Sequence, residues 1–292
     1  MDKICILIDS GNTRIKARAF VVGHPDASSD LNKAIIDEIT IYNQEYARIL
    51  GFVEKIQRQG QIVKVYGISV ATENIRSDLE NVFVSLNLKN AKEFKQSEPI
   101  IWLESEEKAF SLTNMYESPK QLGVDRWFGI IGAHYHLTQQ LKDDSNRALI
   151  HVSFGTATTV DCMHNEQLIG GTILPGLQMM FDSLFRGTAH LPKVATSASD
   201  IVNFPLNTHA AIQTGVVCAQ AGAVFRQVQK LWFLTTQVPY VFISGGAKDT
   251  IVDEIRSICS HWSTAAGLPS VECIELETTV LDGLQYFVSK EM

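Results

Sequence analysis

Two short segments, one in each half of the chain, share a plan that few folds can use twice. In ILIDSGNTRIK, residues 6–16, an apolar run ends in Asp9. Ser10, Gly11, Asn12 and Thr13 then turn the chain, and a second strand-like run starts at Arg14. A carboxylate at the end of a buried strand can hold a hydrated Mg²⁺. Gly11 lets the backbone approach closely because it has no side chain. Asn12 and Thr13 offer side-chain donors and backbone N–H groups to phosphate oxygens. A plain hairpin turn uses the same residue types, so this segment alone leaves both readings open. The run ALIHVSFGTATTVDC, residues 148–162, repeats the plan: an apolar strand ends in Ser153-Phe154-Gly155-Thr156, and a β-branched strand leaves through Thr158, Thr159 and Val160. Aligning Gly11 with Gly155 sets Asp9 against Ser153 and Asn12 against Thr156. One strand–glycine–hydroxyl–strand hairpin in each half points to a duplicated unit with a nucleotide clamped between the copies.

The rest of the chain is compatible with that plan. Its 292 residues, 45% hydrophobic and 20% charged, suit a soluble globular protein of two domains or one large one. A net charge of −7 without a Lys/Arg run argues against nucleic acid as the main partner. The strand pattern that starts at residue 4 contains Asp9, so the N-terminus lacks a signal peptide's long apolar region. No apolar stretch reaches membrane-spanning length, so no membrane partner is expected. Cys5, Cys162, Cys218, Cys259 and Cys273 are scattered, with no C-x-x-C. They read as reduced thiols rather than a zinc site or disulfide framework, and a cytoplasmic setting is expected.

Periodicity predicts strands at 3–9, 14–22, 35–41, 62–70, 148–153, 157–163, 167–174, 239–244 and 271–276. It predicts helices near 43–58, 73–87, 125–141, 175–185, 209–234, 248–261 and 280–290. The pattern breaks at Glu117-Ser118-Pro119-Lys120, which sets the expected boundary between domains 1–121 and 122–292. The stretch 142–146 reads as a surface loop.

Leu122-Gly123-Val124-Asp125-Arg126 opens a helix. An Asp there is commonly a cap, but a cation beside it opposes the helix dipole. An adjacent acid and guanidinium also suit a site in which the acid takes a proton and the arginine holds an anion. Gly170-Gly171 through Pro175-Gly176 reads equally as a structural turn or a substrate loop, with Pro175 able to open the next helix. Ser244-Gly245-Gly246 lets the backbone lie flat against an adenine or ribose, or forms a tight strand–helix turn. His134 and His136 read as ordinary histidines, with no third ligand nearby. The P-loop, G-x-G-x-x-G and G-x-S-x-G patterns are absent.

Taken in order, these segments resemble the type III pantothenate kinase family of the acetate kinase/Hsc70/actin superfamily. The resemblance implies an α/β fold of two duplicated ribonuclease H-like (actin-like ATPase) domains with a cleft between them. It implies ATP-dependent phosphorylation of pantothenate to 4′-phosphopantothenate, the first step towards coenzyme A, by a homodimer. Asp125 would be the general base. Asp9, Ser10, Gly11, Asn12, Thr13, Arg14, Ile15 and Lys16 would surround the ATP phosphates, with Asp9 near Mg²⁺, and Thr156 would touch ATP. Tyr116, Gly123, Val124, Asp125, Arg126 and Thr208 would line the pantothenate site, and Thr188 would reach the neighbouring subunit's pantothenate. One position departs: the second phosphate motif usually begins with an Asp that helps hold a monovalent cation, K⁺ or NH₄⁺, and here it is Ser153. That puts the monovalent cation in doubt. Some relatives are described as accessory factors in virulence-gene transcription. A non-catalytic role of that kind, or a kinase for another small hydroxy acid, are the alternatives.

Overall fold

The first strand, β1 (Lys3–Ser10), is apolar on both faces: Ile4, Cys5, Ile6, Leu7 and Ile8 are all inaccessible to solvent. Such a strand has to lie inside a sheet covered on both sides. In the computed structural model, which describes residues 1–25, 30–85, 99–144, 146–194 and 201–292, it does. β1 pairs antiparallel with β2 (Arg14–Val21), which pairs antiparallel with β3 (Ile35–Tyr42). On its other side β1 pairs parallel with β4 (Gln61–Ser69), and β4 with β5 (Ile101–Trp102), giving the order β3-β2-β1-β4-β5. One face of this sheet packs Ile4, Ile6, Ile8, Ile15, Ala17 and Ala19 against α1 (Arg48–Gln57) and α2 (Glu73–Ser85). A short hairpin, β6 (Lys108–Ala109) and β7 (Leu112–Asn114), precedes α3 (Val124–Tyr135).

The second half repeats this arrangement strand for strand. β8 (Leu149–Phe154) pairs antiparallel with β9 (Ala157–His164), and β9 with β10 (Gln167–Pro175). After α4 (Leu177–Gly187) and α5 (Thr208–Thr235), β11 (Tyr240–Ser244) joins β8 in parallel. After α6 (Val252–Ala266), β12 (Cys273–Glu275) joins β11. The order β10-β9-β8-β11-β12 and its strand directions match the first sheet position by position. This is the duplicated ribonuclease H-like pattern. The core under it gathers Ile150, Val152, Val216, Val224, Ile243 and Ile255.

The last helix, α7 (Thr279–Glu291), returns to the first half. The chain divides into a unit of residues 1–143 plus 279–292 and a unit of residues 144–278. This division falls after α3, and the Pro119 break lies before that helix. The reason is the packing of α3 on α7. A Cβ built on Gly132 would lie 2.0 Å from the Thr279 carbonyl oxygen, and one on Gly283 would lie 2.0 Å from that of Phe128. Only two glycines let these backbones approach so closely. A charged network ties α7 to the sheet as well. The buried Arg18 guanidinium of β2 pairs with Asp282 at 2.7 Å and with Glu38, and donates to Gln285 Oε1 at 2.8 Å. Gln285 donates in turn to the Leu31 carbonyl at 2.9 Å. Burial pushes the Asp282 carboxyl up, but hydrogen bonds and charge from His136 and Arg18 hold it below the usual carboxylate range.

Some elements differ from the periodicity. The helix expected over 43–58 begins as a 3₁₀ turn at Asn43–Glu45 before α1. The helix expected over 125–141 is α3 followed by a π-helical turn at His136–Gln140. Pro175 ends β10 instead of opening α4, because it pairs with Ala157; Gly176 is the N-cap. Residues 86–87 of the helix expected over 73–87, and Ser145 of the expected loop, lie outside the described residues.

Gly132→Ala is expected to lower the unfolding free energy by about 1–3 kcal/mol or more, because the clash is with backbone on both sides. Gly215→Ala, on α5 with open space around it, is expected to raise stability by about 0.4–1 kcal/mol. Urea unfolding of the two variants beside the parent measures both.

Candidate functional site

The sheet register brings Asp9 and Lys16 directly opposite each other at the turn end of the first hairpin. Three residues, Gly11, Asn12 and Thr13, make the turn. The Gly11 N–H donates to the Arg14 carbonyl at 3.0 Å. The buried Asn43 then holds the loop from beneath: its side-chain amide donates to the carbonyls of Gly11 (3.1 Å) and Asn12 (2.9 Å), and its backbone N–H to that of Thr13 (3.1 Å). These bonds occupy the carbonyls of all three turn residues. The sequence reading missed Asn43; a lone Asn after a strand carries no signal without its partner. Asn12, Thr13 and Arg14 are exposed, and Arg14 stacks on Tyr42 at 5.3 Å. Ser10 and Ile15 have buried side chains, so only their backbone is available to a ligand.

Asp125 enters the same neighbourhood from α3. Gly123 is the N-cap of that helix, and Asp125 lies in its first turn rather than at the cap. The carboxylate folds back so that Asp125 Oδ1 accepts the Arg126 N–H at 2.9 Å. A Cβ on Gly123 would sit 2.8 Å from that same oxygen. Val124 is buried and anchors the first turn. The Arg126 guanidinium, also buried, lies 5.5 Å from the centre of the Tyr116 ring. Tyr116 is held by its own N–H, which donates to Asn114 Oδ1 at 3.1 Å. Five residues expected from the sequence, Asp9, Lys16, Tyr116, Asp125 and Arg126, therefore belong to one unit.

The two acids are electrostatically coupled. Burial pushes the Asp9 carboxyl up to about 6, with Lys16 lowering it and the Asp125 charge raising it further. Burial also raises Asp125, against hydrogen bonds and charge from Arg126 that lower it. Two carboxylates competing for ionisation in a poorly solvated place call for a cation or a proton. Among the described residues no group of three or more His, Cys, Asp or Glu forms a ready-made metal cage.

In the second unit, the equivalent hairpin closes the same way: the Gly155 N–H donates to the Ala157 carbonyl at 3.1 Å. Its turn leaves Thr156 exposed. A Cβ on Gly176 would lie 2.4 Å from the carbonyl oxygens of Gly155 and Thr156, so the loop before α4 buttresses this turn. Ser153 pairs with Thr159 and Ser244. The Ser244 hydroxyl donates to the Val152 carbonyl at 3.2 Å and lies 3.1 Å from His151 Nε2. Gly245 then turns at φ +98°, pressed against Phe154 with 2.4 Å left for a Cβ. Thr188 caps the end of α4, its hydroxyl donating to the Leu184 carbonyl at 2.8 Å, and Thr208 opens α5 behind the Asn207 cap; both are exposed.

Residues 5–230 match the family model described as type III pantothenate kinase. A type III pantothenate kinase of Bordetella pertussis is 31% identical over 280 residues, covering 96% of this chain and 95% of its own. One of Janthinobacterium sp. is 32% identical over 254 residues, covering 86% and 89%. Among solved structures, a Baf family transcriptional activator from Campylobacter jejuni aligns over 98% of both chains at 15% identity with a TM-score of 0.51, which supports the fold. No helix among the described residues is long and apolar enough to cross a membrane.

The Asp9 carboxyl is expected to titrate near pH 6 in the free protein. Its folded value lies above its unfolded one, so the folded state binds the extra proton and stability falls as pH rises from about 4 to about 6. Asp125→Asn is expected to lower the Asp9 midpoint, and Lys16→Met to raise it. Carboxyl ¹³C NMR titration of the three proteins reads both shifts.

Proposed function

Because the chain belongs to the type III pantothenate kinase family, we propose that it transfers the γ-phosphoryl group of ATP to the primary hydroxyl of pantothenate, giving 4′-phosphopantothenate and ADP for coenzyme A synthesis. The observation that carries the reading is the pair Asp9 and Asp125, coupled in one unit, each with its own cationic neighbour. Phosphoryl transfer asks the protein for positioning and charge stabilisation more than for covalent chemistry.

Asp125 accepts the proton of the pantothenate hydroxyl as its oxygen attacks the γ-phosphorus. Burial raises its pKa, which makes it a stronger base than an exposed carboxylate. Arg126 receives the pantothenate carboxylate through its planar fork, and Tyr116 beneath it keeps the guanidinium in place. Gly123 and Val124 shape the floor of that pocket. The loop Gly11-Asn12-Thr13 offers donors to the phosphates, with Ser10, Arg14, Ile15 and Lys16 flanking it. Thr156 contacts ATP from the second unit and Thr208 the substrate. Asp9, whose charge is poorly solvated and crowded by Asp125, fits a hydrated Mg²⁺ carried in with ATP. The ion would supply charge neutralisation on the phosphate oxygens. The active form is a homodimer in which Thr188 reaches the partner's pantothenate, in keeping with the exposed Met179 and Phe185 on α4.

Asp125→Asn is expected to retain the fold and nearly the ATP affinity while kcat falls about 10²–10⁴-fold, the usual worth of a general base. Coupled ADP release with pantothenate and a panel of other small hydroxy acids measures it. Unchanged turnover would remove Asp125 from the chemistry, and turnover of another acid in place of pantothenate would change the substrate.

Ser153 supports one finer reading: this kinase depends little on K⁺ or NH₄⁺. A neutral hydroxyl is a poorer cation anchor than a carboxylate. Ser153→Asp is expected to bind ATP worse without K⁺ and to recover when it is added, through relief of charge repulsion. A K⁺ titration of both proteins at fixed ionic strength and Mg²⁺ tests this, and a steep K⁺ requirement in the parent protein would overturn it.

A further inference from the structure

The site just described uses no cysteine, yet two of the five cysteines meet in the second unit. Cys259 lies on the buried side of α6, 1% exposed, in the core under the sheet. Cys273 is the first residue of β12, partly buried against the same core cluster. Cys273 packs against the cluster that contains Cys259, close enough for each thiol to bias the other's ionisation. Arg256, one turn earlier on the same side of α6, makes a second row of contacts to this strand. It donates to the Cys273 carbonyl at 3.4 Å and to the Glu275 carboxylate at 2.8 Å. On the other side β12 is held in register by β11, with Val241 opposite Cys273. The helix and strand are thus fixed around the two sulfurs, and their meeting is part of the fold.

We propose that Cys259 and Cys273 are a redox-modification site that closes reversibly to an intramolecular disulfide. The two thiols have different characters, as such a pair needs. The contact with Cys259, with the Arg256 charge behind it, holds the Cys273 thiol below its ordinary range. Cys259 is pushed up by that same contact and by burial, so it keeps its proton. The remaining thiols are set apart: burial raises Cys5, Cys162 and Cys218 without a cysteine partner. With hydrogen peroxide as oxidant, the Cys273 thiolate attacks one peroxide oxygen, the O–O bond breaks, and the leaving hydroxide takes up a proton as water. Cys273 is then a sulfenic acid. The Cys259 sulfur attacks it, the S–O bond breaks, and the Cys259 proton leaves with the hydroxyl as a second water. A thiol reductant reverses the bond by exchange. Closure would staple α6 to the strand flanking β11, the strand that ends in the Ser244-Gly245 turn.

The test reads sulfur and is independent of any kinase assay. The full chain is reduced, freed of reductant, treated with hydrogen peroxide, then denatured and alkylated for peptide mass mapping. Two of its five thiols are expected to vanish, with the Cys259 and Cys273 peptides joined and about 2 Da lighter for the two hydrogens removed. Dithiothreitol is expected to restore both. Cys273→Ser should leave Cys259 fully alkylated, and Cys218→Ser should leave the crosslink intact. The role of the core residue Cys259 is read from the unmutated chain, so no core substitution is needed. The proposal is overturned if both thiols stay alkylatable while Cys218 is consumed, if Cys273 passes to sulfinic acid, or if either cysteine bonds elsewhere.

Discussion

The near-contact of two backbones at Gly132 and Gly283 is the constraint on which the first unit depends. It sets the height and tilt of α3 on α7. The start of α3 carries Asp125 and Arg126, so both are placed by a packing contact two turns away. The Arg18–Asp282 pair reinforces the placement by pinning α7 to β2, the strand that also carries Lys16. A buried guanidinium loses its hydration and has to be repaid by good geometry. Arg18 receives two carboxylates and an amide oxygen, and Asp282 is shared with His136 at 2.8 Å. The apolar contact determines where the helix lies, and the polar network determines which partner it lies on.

The charges at the site follow from this scaffold. Asp9 lies near the end of β1, opposite Lys16 and within electrostatic reach of Asp125 in the first turn of α3. Both acids are half-buried and poorly solvated, so each resists ionisation beside the other. Lys16 offsets part of the charge on Asp9 and Arg126 part of that on Asp125. Two poorly solvated carboxylates near the end of a hairpin are an electrostatic cost that shape alone does not require.

The duplicated hairpins, and with them the fold class, were legible because β1 and β8 are buried on both faces and end in a glycine that closes on the following strand. A strand buried on both faces reads as a continuous apolar run rather than an alternating one, and glycine in a turn is local information. The start of a helix at Gly123 to Arg126 was legible, but the residues left Asp125 open between a cap and a site; Gly123 is the N-cap. Three things were not legible. The return of α7 to the first unit depends on a glycine pair 151 positions apart, from Gly132 to Gly283, and neither glycine announces its partner. Asn43 acts through three hydrogen bonds to a loop some 30 residues earlier. The strands β5, β6 and β7 are two or three residues long and too short to have a period.

The interrupted first unit also bears on how the protein is made. A ribosome must produce all of the second unit before it produces α7. Until then the nascent first unit lacks the helix that covers Arg18 and braces α3. Residues 144–278 form one contiguous unit and can fold as soon as they emerge. The order of maturation is therefore inverted with respect to the order of the chain: the later half is able to settle first, and the half bearing Asp9 and Asp125 is completed last. A partly made chain carries the Gly11–Thr13 loop but no braced Asp125 beside it, and the two are brought into one finished unit only when α7 docks.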